Sequence, residues 1–177
     1  KKALAAEGTT RATKMFLYDA FVVETTDPAA KVLGRLRAQV EAPTWWGGWF
    51  SHAPFLGRIY TDGFKVFRRI TYRNSWLPII TGRLEQHAKT TAIHIQMRPP
   101  LPTIVFMIVW LGMLGGISSV GIVAQIAAGT FNFAFGVVPL GMCAFLLVLS
   151  YCAFWCEARY SRKMLVEILN GTHSGKI

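Results

Sequence analysis

Ser75 sits in the stretch Tyr72-Arg73-Asn74-Ser75-Trp76-Leu77-Pro78, and two histidines, His87 and His94, follow it. A serine, an imidazole and an acid are the parts of a nucleophilic hydrolase, provided that the base lies within hydrogen-bond reach and an acid orients it. The sequence does not wire these parts together. No G-x-S-x-G elbow surrounds Ser75, and the one close acid, Asp62, belongs to an Asp-Gly turn. The residues read more simply as a connection between two strands, in which Asn74 and Ser75 supply turn chemistry. Arg73 then reaches toward lipid headgroups or an acid such as Glu85. A membrane-anchored enzyme using Ser75, His94 or Arg73 is the weakest of the functional readings, and no catalytic residue is assigned.

Metal and cofactor chemistry find no better footing. Cys152 and Cys156 stand four residues apart, and the third cysteine, Cys143, lies upstream in the same apolar segment. Two thiols without further ligands do not make a zinc site, and an odd cysteine count inside a membrane argues against a disulfide framework. No histidine lies between residues 99 and 156, so that segment lacks the usual axial ligand for haem. The expectation is no metal and no cofactor.

The elements that carry these residues follow from the distribution of charge. The chain has 177 residues, 53% hydrophobic and only 16% charged, with a mean hydropathy of +0.36. Soluble domains carry roughly 25% charged residues. From Pro99 to Cys156, 58 residues run without a single Asp, Glu, Lys, Arg or His. A crossing needs about 20 apolar residues, so this run holds two crossings, expected at 101–124 and 133–156. Between them, Gln125 to Asn132 carries two amide side chains and a Gly-Thr pair, the chemistry of a tight turn. With no ionisable group at membrane depth, the hairpin reads as an anchor rather than a conduit.

Both flanks of the hairpin are basic, and the connecting turn has no charge. Arg83, Lys89 and Arg98 before it, and Arg159, Arg162 and Lys163 after it, place both termini on the cytoplasmic side of the membrane. No apolar leader is read ahead of Asp19. The net charge of +10 is assigned to topology and to membrane lipids, because no nucleic-acid motif accompanies it.

Residues 1–98 read as an α+β cytoplasmic domain: an antiparallel sheet of four to five strands plus one helix. Strands are expected at 15–24, 55–61, 64–72, 77–85 and 91–98, from β-branched and aromatic content and from the alternation of Ile93, Ile95 and Met97. Asp62-Gly63 marks a tight hairpin. Thr26-Asp27-Pro28 reads as a capped helix start with proline at the first helical position, and Val32, Leu33, Leu36 and Val40 carry the helix to about Glu41. Residues 157–177 continue the second crossing as an amphipathic cytoplasmic tail.

Three further groups of residues are candidate contact sites. Trp45, Trp46 and Trp49 lie in a Gly- and Pro-rich loop and suit either the core or a lipid or protein interface. Arg73, Arg98, Arg159, Arg162 and Lys163 are expected at the membrane surface. Gly112, Gly115, Gly116 and Ser119 form a small-residue stripe on the first crossing, where another helix can approach closely. The second crossing, through Gly136, Gly141 and Ala144, is the expected partner.

The residues Phe64, Phe67-Arg68, Ile70, Tyr72 to Pro78, Gly82, Ile93 and Met97, followed by a proline-started span with Phe106-Met107 and Trp110, resemble a family of bacterial membrane proteins of undefined chemistry. That family has a small β-rich juxtamembrane domain, two spans and a pattern near Y-R-N-S-F-L-P, where this chain has Trp76. The resemblance covers about residues 55–115, implies the same architecture in a bacterial inner (cytoplasmic or intracytoplasmic) membrane and transfers no catalytic residue. Together these features lead to the expectation of a non-catalytic accessory subunit of a larger integral-membrane complex, of the photosynthetic or respiratory kind. A membrane-anchored lipid- or ligand-binding sensor is the alternative.

Overall fold

The computed structural model describes residues 13–42, 53–87, 90–130 and 132–170. Seven strands and three helices follow in the order β1 (Thr13–Met15), β2 (Tyr18–Thr25), α1 (Ala29–Gln39), β3 (Val40–Glu41), β4 (Phe55–Ile59), β5 (Gly63–Arg68), β6 (Ile79–Gln86), β7 (Thr91–Arg98), α2 (Leu101–Ala128) and α3 (Phe133–Asn170). The strands form one sheet in the order β1-β2-β7-β6-β5-β4-β3, antiparallel except for the β3–β4 pair.

The sheet therefore has seven strands, not four to five. The two additions are the edges. β1 comes from a turn at Phe16-Leu17 that folds the start of the expected 15–24 strand back on itself, pairing Met15 with Tyr18. β3 is the expected end of the helix: α1 stops at Gln39, and Val40 and Glu41 turn extended to pair with Phe55 and Leu56. Short edge strands expose few unpaired backbone groups to a stray partner chain. The start of α1 also differs from expectation. Pro28 itself occupies the capping position, and Asp27 turns its carboxylate to Lys31 (2.8 Å) and to Arg35 rather than to the helix backbone.

One face of the sheet is dry. Phe21 and Val23 from β2, Phe55, Phe64, Val66 and Ile80 from the middle strands, and Ile93, Ile95 and Met97 from β7 are buried, as strand alternation predicts. Over them lie Val32, Leu33 and Leu36 of α1 together with Phe154, Ala158, Leu165, Ile168 and Leu169 of α3. Ala158, Leu165, Ile168 and Leu169, expected in a cytoplasmic tail, thus close the core of the sheet domain. Arg35 ties the two helices, its Nη1 donating to the Leu169 carbonyl at 2.8 Å. Such a bond satisfies one of the carbonyls left open at a helix C-terminus.

The chain passes from β7 to α2 through Pro99 and Pro100, with no linker. Leu101–Ala128 and the 38-residue Phe133–Asn170 contain the two segments long and apolar enough to cross a membrane, and few of their residues in those segments are buried within the chain. The turn between them uses the amides singled out in the sequence. Gly129 adopts a left-handed conformation (φ 63°), and the Thr130 N–H reaches the Gln125 carbonyl at 3.1 Å. The Gln125 side chain accepts from the Asn132 N–H, and the Asn132 side chain accepts from the Ala134 N–H at 3.1 Å.

Candidate functional site

The loop from Tyr72 to Trp76 joins the sheet to both long helices. Its focus is Glu157, the first charged residue after the apolar run, carried by α3. Burying a carboxylate there is costly unless it is paired and hydrogen-bonded. Three groups answer it. Arg68, at the end of β5, donates from Nη2 to Oε2 at 2.5 Å, the Tyr72 hydroxyl donates to Oε1, and Asn74 Nδ2 lies 3.3 Å from the same oxygen. The Glu157 and Arg68 side chains are 8% and 15% exposed, which makes this a largely desolvated pair. Arg68 also stacks over the Tyr160 ring, 4.6 Å from its centroid, and donates to the Tyr72 oxygen at 3.0 Å.

The rest of the loop serves the same joint. The Asn74 carbonyl oxygen of the side chain accepts from the Trp76 N–H at 3.0 Å, an Asx turn that fixes the loop. The Ser75 backbone carbonyl accepts from the buried Thr103 hydroxyl, in the first turn of α2, at 2.7 Å. One short loop therefore grips α3 through side chains and α2 through its backbone.

Electrostatics match this geometry. Burial works to raise the Glu157 pKa, but the Tyr72 hydroxyl and the Arg68 guanidinium outweigh it and hold the carboxyl below its ordinary value. Tyr72 is pushed up, first by its hydrogen bond to Glu157 and then by burial. An ionised acceptor facing a protonated donor and a fixed cation forms a brace.

The candidate residues are distributed differently from a catalytic set. Among the described residues no hydrogen bond joins Ser75 to His87 or His94; His94 stands 3.4 Å from Glu85 on the outer side of the sheet. Arg73 is exposed and does not take Glu85 as partner. Arg98, Arg159 and Lys163 are exposed, whereas Arg162 turns inward, 3.6 Å from the buried Asp19 and 4.1 Å over the Phe21 ring. Trp45, Trp46 and Trp49 lie outside the described residues. No group of three or more His, Cys, Asp or Glu gathers among the described residues in a way that could hold a metal ion.

The glycine stripe does not meet the second helix. A Cβ added at Gly112, Gly115 or Gly116 finds no atom within 4 Å, and Gly141 on α3 is equally bare. The α2–α3 seam runs instead through Leu114 and Ser118, with Ser150 buried on α3. Sequence reasoning named the loop but missed Glu157, whose signal was available. A lone acid at the edge of a long uncharged run needs a partner.

No family model, curated protein or solved structure matches the chain.

Proposed function

We propose that this chain is a non-catalytic accessory subunit of a larger integral-membrane complex. Its hairpin docks among other helices, and its basic sheet domain covers the cytoplasmic surface of the assembly, with both termini on that side. The observation that carries this reading is the outward-facing stripe of Gly112, Gly116 and Ser119, left open by the chain's own second helix. Lipid supplies no hydrophobic drive for helix pairing, and surfaces of this kind let two backbones approach closely. The brace on Glu157 supports it further, because it fixes the head to the hairpin.

The outer face of the sheet fits a covering role. Arg58 and Lys65 stand directly opposite each other on β4 and β5, both exposed. Like charges in that position are unfavourable in an isolated sheet, and an acidic partner surface relieves the repulsion. The resemblance to two-span membrane proteins with the Y-R-N-S motif is consistent with this role and adds no chemistry of its own.

The test is the native mass of the particle extracted from its own membrane in mild detergent. The expected result is a mass well above the 19.7 kDa of one chain, with other polypeptides at fixed ratio. Gly112→Leu with Gly116→Leu is expected to release the chain while leaving its own melting unchanged, since neither position touches α3. A solitary chain in the native extract would sink the proposal.

A further inference from the structure

Where α3 leaves the apolar run, the tip of the β1–β2 hairpin folds against it and leaves a recess of about 300 Å³ lined by Lys14, Met15, Phe16, Tyr151, Trp155 and Arg159. Its floor is ordered. Trp155 is buried and donates its indole N–H to the Phe16 carbonyl at 3.2 Å, and the Tyr151 ring packs on Phe16 and Trp155 at 5.8 and 6.1 Å between centroids. Its rim is apolar on one side, with Met15 64% and Phe16 46% exposed.

On the other side stand two cations. Lys14 holds its ammonium 5.5 Å over the Trp155 ring, and Arg159 is exposed one turn further along α3. Neither forms an ion pair with a carboxylate among the described residues. Asp19, the cross-strand neighbour of Lys14, lies within reach of its charge but is buried facing Arg162 and does not pair with Lys14 directly. The recess is therefore positive on its water side and oily on its membrane side. Tyr151 and Trp155 belong to the aromatic level of a bilayer surface, and the uncharged run ends immediately after, at Cys156.

A free anion would use the two cations and have no use for Met15, Phe16 and Tyr151; a wholly apolar ligand would leave the cations idle. We propose that this recess binds one anionic phospholipid, its phosphate between Lys14 and Arg159 and its glycerol and first acyl carbons passing outward over Met15, Phe16 and Tyr151. The volume lies at the lower end of the roughly 300–1,000 Å³ of small-ligand pockets, which suits a headgroup whose chains remain in the bilayer. The proposal depends on the hairpin lying in a membrane and is independent of any partner subunit.

The full chain in mild detergent is titrated with phosphatidylglycerol or phosphatidylcholine, and bound lipid is counted by native mass spectrometry. One phosphatidylglycerol is expected to be retained at concentrations where phosphatidylcholine is lost. Lys14→Gln with Arg159→Gln is expected to weaken that retention roughly twenty-five-fold, about fivefold for each charge at an anionic surface. Lys65→Gln, on the outer sheet face, is expected to change nothing. Equal retention of the two lipids by the unmodified chain, which requires no variant to fold, overturns the proposal, as does unchanged retention by the double variant. Displacement of the lipid by inorganic phosphate alone would identify a free-anion site and overturn it too. None of these results moves the native mass on which the accessory-subunit reading stands.

Discussion

Glu157 decides more than any other single residue, because removing it leaves the Arg68 guanidinium largely buried without its counter-ion. Breaking one side of such a pair costs about 3–5 kcal/mol. Glu157→Gln is therefore expected to lower the melting transition, followed by tryptophan fluorescence in detergent, far more than Glu85→Gln, whose partner His94 is exposed. Its pH dependence has a defined sign. With its pKa held below the ordinary value, Glu157 contributes stability that is whole above the unfolded carboxylate value of about 4.3. That contribution is lost as pH falls through the folded one. Asp19 runs the other way. Burial raises its pKa against the pull of Arg162 and Lys14, so its contribution is whole below about 3.9 and lost as pH rises through its folded value. Glu157→Gln should flatten the acid limb of the stability profile, and Asp19→Asn the fall toward neutrality. An unchanged acid limb in Glu157→Gln would refute the brace. The turn chemistry of Asn74 was legible in the sequence. Its bond to Glu157, 83 residues away, was not, because no local pattern encodes a contact at that range.

Among the elements, the central strands were the most readable. The alternation of Ile93, Ile95 and Met97 names the buried face of β7 outright, and Asp62-Gly63 names the β4–β5 turn. The edges were not readable, since three residues in β1 and two in β3 are too few to show a period. The β1–β2 turn at Phe16-Leu17 also lacks glycine, proline or asparagine. The helix pair misled for a different reason. Small residues at 112, 116 and 119 and the actual seam through Leu114 and Ser118 repeat at nearly the same interval, so spacing alone cannot say which stripe faces the second helix. Gly82 provides a test of the sheet. It pairs with Phe64 across β5 and β6, and a Cβ there would lie 2.2 Å from the Phe64 ring, which is itself buried. Gly82→Ala is expected to cost about 1–3 kcal/mol as an overpacked core. A melting temperature equal to that of the parent would show that the ring does not lie over this glycine.

For the whole molecule, the division into head, hairpin and tail gives way to two bodies that share a helix. The composition alone separated the apolar run from the charged flanks, and that boundary at Cys156 is real in chemistry. It is not a boundary in packing, because α3 continues unbroken to Asn170 and places Leu165, Ile168 and Leu169 in the core of the sheet domain. Burying three such side chains is worth about 1.5–3 kcal/mol each, a large part of the roughly 5–15 kcal/mol that holds an ordinary domain together. A chain ending at Cys156 is expected to lose its folded head, seen as rapid trypsin cleavage within residues 55–98. A protease-resistant head in that truncation would refute the shared core.

At about 1.5 Å per residue, the 38 residues of α3 make a rod near 57 Å long, apolar enough to cross a membrane along one part and packed into the sheet domain at its far end. Thinner or thicker bilayers change the tilt of such a rod. With the Tyr72–Trp76 clasp holding both helices, the head must swing through the same angle, as the pointer of a gauge follows its spindle.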